Sequence, residues 1–280
     1  MKARELGRNS VVVGDRVALA GDTSGSAGSL ARIVRVEQRS SELRRSPDDT
    51  DPAERVVVAN AQQMLIVCAL ADPEPKTRFI DRCLVAAYDA GLAPILVLTK
   101  SDLASPRKIR AFYAPLGLSM ITTRQPLPPV TLSRLRKALA GDDQGPQISV
   151  CIGQSGVGKS TLVNELIPDA DRAVGHVNAV TGKGRHTSSS AVALALPDAG
   201  GWLIDTPGVR GFGLGHVSPQ RVVAAFGDLA EGTAACPSGC DHLSPTCALD
   251  DWAASHGSQA VARLDSLRRL LRSRDATEQQ

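Results

Sequence analysis

Residues 148–167 decide the fold and read ISVCIGQSGVGKSTLVNELI. Gly153–Ser160 within this stretch match the pattern G-x-x-x-x-G-K-[ST], with an apolar strand before them and a helix after them. The glycines let successive backbone N–H groups turn toward phosphate oxygens, and a helix N-terminus favours an anion. We therefore predict a nucleotide-phosphate site, in which Lys159 reaches the β- and γ-phosphates and Ser160 offers its hydroxyl to Mg²⁺. The alternative is a glycine-rich turn that matches by chance.

A second motif follows downstream, where residues 202–208 read WLIDTPG. An apolar strand delivers Asp205 at its carboxyl end, which is where a parallel sheet places ligand groups. We expect Asp205 to hold Mg²⁺ through water and the Gly208 N–H to contact the γ-phosphate. D-x-x-G alone is a common turn, so this interpretation depends on the phosphate loop.

A third motif, PILVLTKSD at residues 94–102, indicates which base is bound. The carboxylate of Asp102 can accept from both N1–H and the N2 amino group of guanine, and adenine lacks both donors there. Two charge-assisted bonds of about 1.5–3 kcal/mol each predict discrimination of hundredfold or more. We expect Thr99, Lys100, Ser101 and Asp102 to read the base, with Lys100 lying along it and bracing the phosphate loop. The alternative is a turn that caps the next helix.

Proteins that combine these three motifs usually have the phosphate loop first, D-x-x-G next and the base-reading motif last. Here the base-reading loop precedes the phosphate loop. Circular permutation builds the same sheet from this order when the original termini are close. An apolar strand at 64–70, a helix at 78–90 and a strand at 94–98 form a βαβ unit, which predicts a parallel sheet. Permutation also makes the segment after Gly208 the covalent link to the C-terminal part.

Different patterns flank this α/β core. Residues 11–58 alternate short β-rich runs with turn-forming residues, which predicts a small β-barrel or sandwich. The C-terminal part is predicted to be helical around Cys236-x₃-Cys240-x-His242-x₄-Cys247. Four soft ligands can close a tetrahedral Cys₃His shell, so we predict one structural zinc ion; the alternative is a surface cluster without metal. The remaining cysteines, Cys68, Cys83 and Cys151, lie in apolar stretches and are predicted to pack in the core.

Composition limits the partners. The 280 residues have a formal net charge of +3, and aromatic residues make up only 3%, which is too few for a broad base-stacking platform. Apolar runs such as residues 64–71 are too short to span a bilayer, and the N-terminus lacks the apolar segment of a signal peptide. We expect a monomeric cytoplasmic protein without membrane contact. Two arginine-rich runs are either solvated faces or RNA-binding surfaces: Arg32, Arg35, Arg39, Arg44 and Arg45, and Arg263, Arg268, Arg269, Arg272 and Arg274.

Five motifs together resemble the circularly permuted GTPases of small ribosomal subunit biogenesis, the RsgA (YjeQ) family. They are TKSD (99–102), GQSGVGKST (153–161), GKGRHTSS (182–189), DTPGVRGFG (205–213) and CPSGCDHLSPTC (236–247). The resemblance implies an OB-fold in residues 1–58, a permuted GTPase domain in 59–214 and a helical zinc-binding domain in 215–280. It also implies binding to the small (30S) ribosomal subunit and its 16S rRNA, GTP hydrolysis that the subunit stimulates during its late maturation, and then dissociation. The GTP-binding loop is then Gly153, Gln154, Ser155, Gly156, Val157, Gly158, Lys159, Ser160 and Thr161.

The sequence departs from the family pattern around the base. Thr99 stands where an asparagine is usual, so guanine affinity is expected to be somewhat weaker. Thr122 and Thr123 stand where the family's fifth motif has Ser-Ala.

The residue that activates water is not the usual one. Small signalling GTPases have a water-orienting glutamine directly after the D-x-x-G glycine, and Val209 occupies that place here. We expect His186 to orient or deprotonate the water; the alternative is that it contacts RNA or packs. Thr187 is expected to complete the Mg²⁺ coordination, with Ser188 and Ser189 as competing candidates.

Two other functions remain open at this point. One is a nucleotide-gated RNA-binding or sensor module in which hydrolysis is incidental, which Val209 favours. The other is a P-loop ATPase or small-molecule kinase, which Asp102 disfavours.

Overall fold

A computed structural model describes residues 11–45, 55–141, 145–170, 191–197, 200–207, 213–214 and 216–275. These residues form ten β-strands and eight α-helices. The strands are β1 (Val17–Gly21), β2 (Ala31–Val36), β3 (Glu42–Arg45), β4 (Arg55–Ala59), β5 (Gln63–Ala69), β6 (Ala93–Thr99), β7 (Ser119–Thr122), β8 (Gln147–Gly153), β9 (Val192–Ala195) and β10 (Gly201–Asp205). The helices are α1 (Thr77–Asp89), α2 (Arg107–Tyr113), α3 (Pro129–Leu139), α4 (Lys159–Leu166), α5 (Pro219–Ala224), α6 (Gly227–Gly232), α7 (Leu249–Ser255) and α8 (Ser258–Asp275).

Six strands form the central sheet, in the order β7-β6-β5-β8-β10-β9. The βαβ unit predicted from the sequence is confirmed, because β5 and β6 pair in parallel on either side of α1. The expectation of a parallel sheet is only partly correct, since β9 pairs antiparallel with β10. The connection between those two strands is short, and only an antiparallel pair can be joined by a short loop. The sheet is therefore mixed.

Each face of the sheet has its own hydrophobic core, because successive strand residues point to opposite faces. Ile66 and Leu98 face α1 and α8, whereas Leu65 and Val67 face α3 and α4. The three sequence motifs follow β6, β8 and β10, at the carboxyl ends of these parallel strands. The sheet therefore brings all three motifs to the same edge, although they come in an unusual order along the chain.

The N-terminal part is β-rich, as predicted. Strands β1 and β2 pair antiparallel, β3 and β4 pair antiparallel, and Val13 bridges to Val58. In the described residues these are two separate two-stranded sheets, so a closed OB-fold barrel stays a prediction. Leu43 and Val58 are buried in the same core as α1.

The C-terminal part is helical, and its helix α8 packs against α1 and the central sheet. Leu264, Leu267, Leu270 and Leu271 of α8 are buried in one core with residues of α1, β5 and β6. Two α1 side chains that are almost completely buried also reach α8. Arg82, 1% exposed, donates to the Ser273 carbonyl at 2.8 Å. Asp81, 3% exposed, accepts from Arg269 Nε at 3.1 Å.

Across the described ranges, no helix is both long and apolar enough to cross a membrane.

Candidate functional site

The phosphate loop connects the end of β8 to the start of α4, as the motif predicted. Gly156 and Gly158 have positive φ angles of 80° and 88°, a conformation that glycine adopts without strain. A Cβ atom on Gly153 would lie 2.9 Å from the Val67 carbonyl oxygen, so the close approach of β5 also requires glycine there. Helix α4 then begins at Lys159, which places Ser160 and Thr161 in its first turn. This geometry suits a bound phosphate.

Lys159 and Asp205 meet at the centre of the site. Asp205 ends β10 directly opposite Cys151 of the neighbouring β8, and its Oδ1 forms an ion pair with Lys159 Nζ. Both groups are buried, Lys159 at 7% exposure and Asp205 at 0%. Thr206, the next residue, is fixed to the Cys151 carbonyl by its Oγ1 at 2.8 Å. The two residues predicted to hold phosphate and magnesium are therefore brought together.

Thr99 connects the base-reading loop to the phosphate loop. Its Oγ1 donates to the Val157 carbonyl at 2.6 Å, and the side chain is 5% exposed. Sequence reasoning assigned the bracing of this loop to Lys100, whereas in the described residues Thr99 makes the contact. Lys100 Nζ instead donates to the Asp72 carbonyl, because the segment after β5 lies against the end of β6. The position of Lys100 along the base stays a prediction.

The segment after β7 lies beside the loop that is predicted to read the base. Ser101 N–H donates to the Thr123 carbonyl at 3.1 Å, and Thr123 N–H donates to the Leu98 carbonyl at 2.7 Å. Asp102 is exposed, and its Oδ1 accepts from the Gln125 N–H at 3.4 Å. The assigned fifth-motif residues thus lie beside the base-reading loop, and the Asp102 carboxylate is open to a ligand.

Three predicted site residues lie outside the described residues: His186, Thr187 and Gly208. The same holds for Ser188, Ser189 and Val209. Their roles stay predictions.

A second candidate site is the cluster of Cys236, Cys240, His242 and Cys247, whose ligand atoms all lie within 4.8 Å of one another. Cys236 Sγ is 3.8 Å from Cys247 Sγ and 3.7 Å from His242 Nδ1, and Cys247 Sγ is 3.7 Å from the same nitrogen. A tetrahedron with bonds of about 2.3 Å has edges of about 3.8 Å. The four residues therefore fit a tetrahedral metal ion.

The surroundings of the cluster favour metal binding. Burial lowers the pKa of His242, which favours the neutral imidazole that a metal ion requires. Arg268 Nε donates to the His242 carbonyl at 3.0 Å, and its guanidinium also binds both carboxylate oxygens of Asp250, at 2.6 and 2.7 Å. This arginine connects the cluster to α8 and α7. Cys68, Cys83 and Cys151 are free and buried, as predicted.

Three arginines of the last-helix run have acidic partners within the described residues, and RNA binding by this run stays a prediction. Arg263, Arg268 and Arg269 form ion pairs with Asp228, Asp250 and Asp81. These three arginines hold α8 to other helices and are not a free basic face, because acidic partners from distant parts of the chain neutralise them. In the N-terminal run, Arg39 is likewise paired with Asp15, Arg44 with Glu42 and Arg35 with Glu37.

These features define a class of protein. A phosphate loop on β8, a buried aspartate on neighbouring β10 and a TKSD loop that comes earlier in the chain are those of a circularly permuted P-loop GTPase. The particular family is shown by comparison: the RsgA GTPase family model matches residues 36–215, and the chain belongs to that family.

Individual relatives agree with this assignment. The small ribosomal subunit biogenesis GTPase RsgA of Pseudomonas aeruginosa (strain LESB58) is 38% identical over 277 residues, covering 96% of this chain and 77% of the relative. The protein of the same name from Ectopseudomonas mendocina (strain ymp) is 39% identical over 272 residues, covering 94% and 75%.

Two solved structures have a similar fold. YjeQ from Thermotoga maritima aligns with a TM-score of 0.65 at 25% identity, over 99% of this chain and 88% of that one. YloQ, described as a circularly permuted GTPase, aligns with a TM-score of 0.62 at 21% identity, over 95% and 81%.

Proposed function

We propose that this protein binds the small ribosomal subunit, assists its late maturation by hydrolysing GTP to GDP and phosphate, and then dissociates. The observation that carries the proposal is the meeting of three motifs at one edge of the sheet: Thr99 contacts Val157, and Lys159 contacts Asp205. Relatives that cover most of the chain are named as small ribosomal subunit biogenesis GTPases.

Within this proposal the residues of the site have distinct roles. Asp102 reads guanine, and Lys159 exchanges its carboxylate partner for phosphate oxygens. Ser160 and Asp205 are oxygen donors, the type that Mg²⁺ prefers, and both lie beside the phosphate loop. A bound magnesium ion would neutralise charge that develops on the phosphates. The buried Lys159–Asp205 ion pair holds both side chains in place before nucleotide binds.

The residue that activates water is proposed from the sequence alone. His186 would orient or deprotonate the water, and Thr187 would complete the magnesium coordination. His186→Ala is expected to abolish subunit-stimulated turnover while GTP affinity stays the same. Stimulated turnover that is unchanged in this variant would exclude the role.

For the metal cluster we propose one structural zinc ion held by Cys236, Cys240, His242 and Cys247. Thiolate and imidazole ligands in a closed tetrahedral shell suit zinc and leave no position for a reacting water. The ion would stabilise the fold around α7 and α8.

The division into an OB-fold (1–58), a GTPase domain (59–214) and a zinc-binding domain (215–280) belongs to the same proposal. So do contact with 16S rRNA, a monomeric state and a cytoplasmic location, where the small subunit matures.

The decisive experiment is GTP hydrolysis with and without purified small ribosomal subunits. We expect slow turnover alone and a strong increase with subunits, and we expect Lys159→Ala to abolish both. The corresponding ATP reaction should be negligible. If subunits bind in a nucleotide-dependent way without raising turnover, the protein is instead a nucleotide-gated binding module. If ATP competes equally with GTP, it is an ATPase or kinase.

A further inference from the structure

One segment of the chain has an extreme charge. Residues 103–141 contain seven of the 32 basic side chains and no acidic one. The rest of the chain contains 25 basic residues and all 29 acidic ones. The seven are Arg107, Lys108, Arg110, Arg124, Arg134, Arg136 and Lys137. The near-neutral total charge therefore conceals a strongly positive region on an otherwise acidic chain.

Four of these side chains lie on α2 or just after β7, near the loop that contains Asp102, and we call this region the α2–β7 surface: Arg107, Lys108, Arg110 and Arg124. All four are exposed. Arg110 Nη1 donates to the Met120 carbonyl at 3.4 Å, which ties α2 to the edge strand β7. Gln125, next to Arg124, contacts Asp102, which precedes α2.

The charges of the α2–β7 surface are not neutralised within the described part of the chain. No carboxylate there forms an ion pair with any of the four side chains, in contrast to the α8 arginines Arg263, Arg268 and Arg269. The positive charge of this surface is therefore available to an external anion.

Two of the four charges lie where they disfavour the fold. Arg107 and Lys108 occupy the first turn of α2, and no acidic residue accompanies them. The positive end of the helix dipole repels cations at this position. The positive charges of Arg107 and Lys108 therefore do not stabilise α2.

We propose that the α2–β7 surface binds the phosphate backbone of folded RNA in the small ribosomal subunit. The inference rests on the proposed function and adds the contact surface. Cationic side chains without a free aromatic neighbour suit phosphates and not unstacked bases. The one aromatic ring exposed on α2, Phe112, is covered by the Arg269 guanidinium at 4.1 Å. Docking here places RNA beside the Asp102 loop.

The test compares two double variants with the same loss of charge. Arg107→Ala/Lys108→Ala removes charge from the α2–β7 surface. Arg134→Ala/Lys137→Ala, also exposed, is the control on α3, which packs on the opposite face of the sheet. Basal GTP hydrolysis without subunits checks that each variant folds and is expected to equal that of the wild type.

Affinity is measured for purified small subunits and, separately, for protein-free 16S rRNA, across a salt series. For the α2 variant we expect about a 10- to 30-fold loss at physiological salt. Its slope of log affinity against log salt should fall by about 2, since each phosphate contact contributes about 0.9. The control should retain wild-type values.

Several results would overturn the inference. One is an equal effect, or no effect, in the two variants. Another is a loss of subunit affinity with unchanged 16S rRNA affinity, which would identify a ribosomal protein as the partner. A third is self-association of the α2 variant with unchanged RNA affinity. The charges would then serve to keep the edge strand β7 from pairing with another copy of the chain. If the wild-type protein itself fails to bind subunits, the proposed function fails, and the rRNA measurement still tests the surface.

Discussion

The hydroxyl of Thr99 and the carbonyl of Val157 are joined by a 2.6 Å hydrogen bond. This bond connects the end of β6 to the phosphate loop, so the loop that reads the base and the loop that holds the phosphates are fixed relative to each other. Threonine therefore provides the contact between loops, although it lacks the amide of the asparagine usual at this position.

Thr99→Val should weaken nucleotide binding. Valine has nearly the shape of threonine but leaves the Val157 carbonyl without its partner, and an unsatisfied buried carbonyl costs about 1–3 kcal/mol. We expect a roughly tenfold higher dissociation constant for a fluorescent GDP analogue. Thr99→Ser keeps the hydroxyl and should bind nearly as the wild type does. Equal affinity of the valine variant and the wild type would show that the bond contributes nothing to binding.

Asp102→Asn should change base selectivity. The amide accepts only one of the two guanine hydrogen bonds and loses their charge assistance, so GTP affinity should fall about hundredfold. The new NH₂ group can donate to the carbonyl at C2 of xanthine, so xanthosine triphosphate should gain affinity. Competition between GTP, ATP and xanthosine triphosphate measures this. Because Asp102 is exposed, the thermal midpoint should stay the same; retained GTP preference would mean that another residue reads the base.

Cys247→Ser should remove the metal ion. Cys247 is 4% exposed, and its sulfur lies 3.7–3.8 Å from two other ligand atoms. Elemental analysis should find one zinc per chain in the wild-type protein and almost none in the variant, with a lower unfolding midpoint. Cys68→Ala is the control, because it changes a buried cysteine outside the cluster; this variant protein should retain one zinc ion per chain. A wild-type protein without zinc after expression in zinc-containing medium would refute the assignment.

Arg82→Met should weaken the packing of α1 on α8. The guanidinium is buried and donates to the Ser273 carbonyl, and loss of a charged hydrogen bond of this type costs about 1.5–3 kcal/mol. Urea denaturation should report a loss of this size in the free energy of unfolding. Arg134→Met is the control, because this α3 side chain is exposed and forms no ion pair within the described residues, so its loss should cost about 0.5 kcal/mol or less. Equal stability of the two variants would contradict the prediction.

Asp15 should make the N-terminal strands acid-sensitive. Burial opposes its charge, but hydrogen bonds from Arg39 and from the Val12 N–H outweigh this effect and lower the pKa of Asp15. A lowered folded-state pKa stabilises the protein above the ordinary value of about 3.9, and this contribution is lost as the pH falls through the folded-state pKa.

Asp15→Asn should therefore cost about 1 kcal/mol at pH 7, and the difference from the wild type should shrink as the pH falls below about 4. Denaturation of both proteins at pH 7, 5, 4 and 3 measures this. A difference that stays constant over this range would exclude Asp15 as the titrating group.

The sequence predicted the parts of the site that depend on short motifs. The phosphate loop is contiguous, and the rule that ligands bind at the carboxyl ends of parallel strands was enough to bring Asp205 and Asp102 to the same edge. The same local reasoning could not predict the contact of Lys100 with the Asp72 carbonyl, since Asp72 belongs to a different strand connection.

Long-range pairing explains the other differences. Arg269 and Asp81 are 188 positions apart, so the basic composition of α8 alone could not reveal that its charges are used internally. The antiparallel β9 likewise depends on the hairpin that it forms with β10, which an apolar run does not specify. The unpaired charge of α2 became meaningful only when three arginines in each of the other two runs were found to form ion pairs.

The packing of α8 on α1 also has a consequence for synthesis of the chain. Strand β5, helix α1 and strand β6 leave the ribosome well before α8, which completes the core around Ile80 and Leu84. Until then the apolar face of α1, together with Arg82, faces water, and exposed apolar surface promotes aggregation. A nascent chain stalled before Ser258 would therefore be a substrate for chaperones, and this core can close only after α8 has left the ribosome.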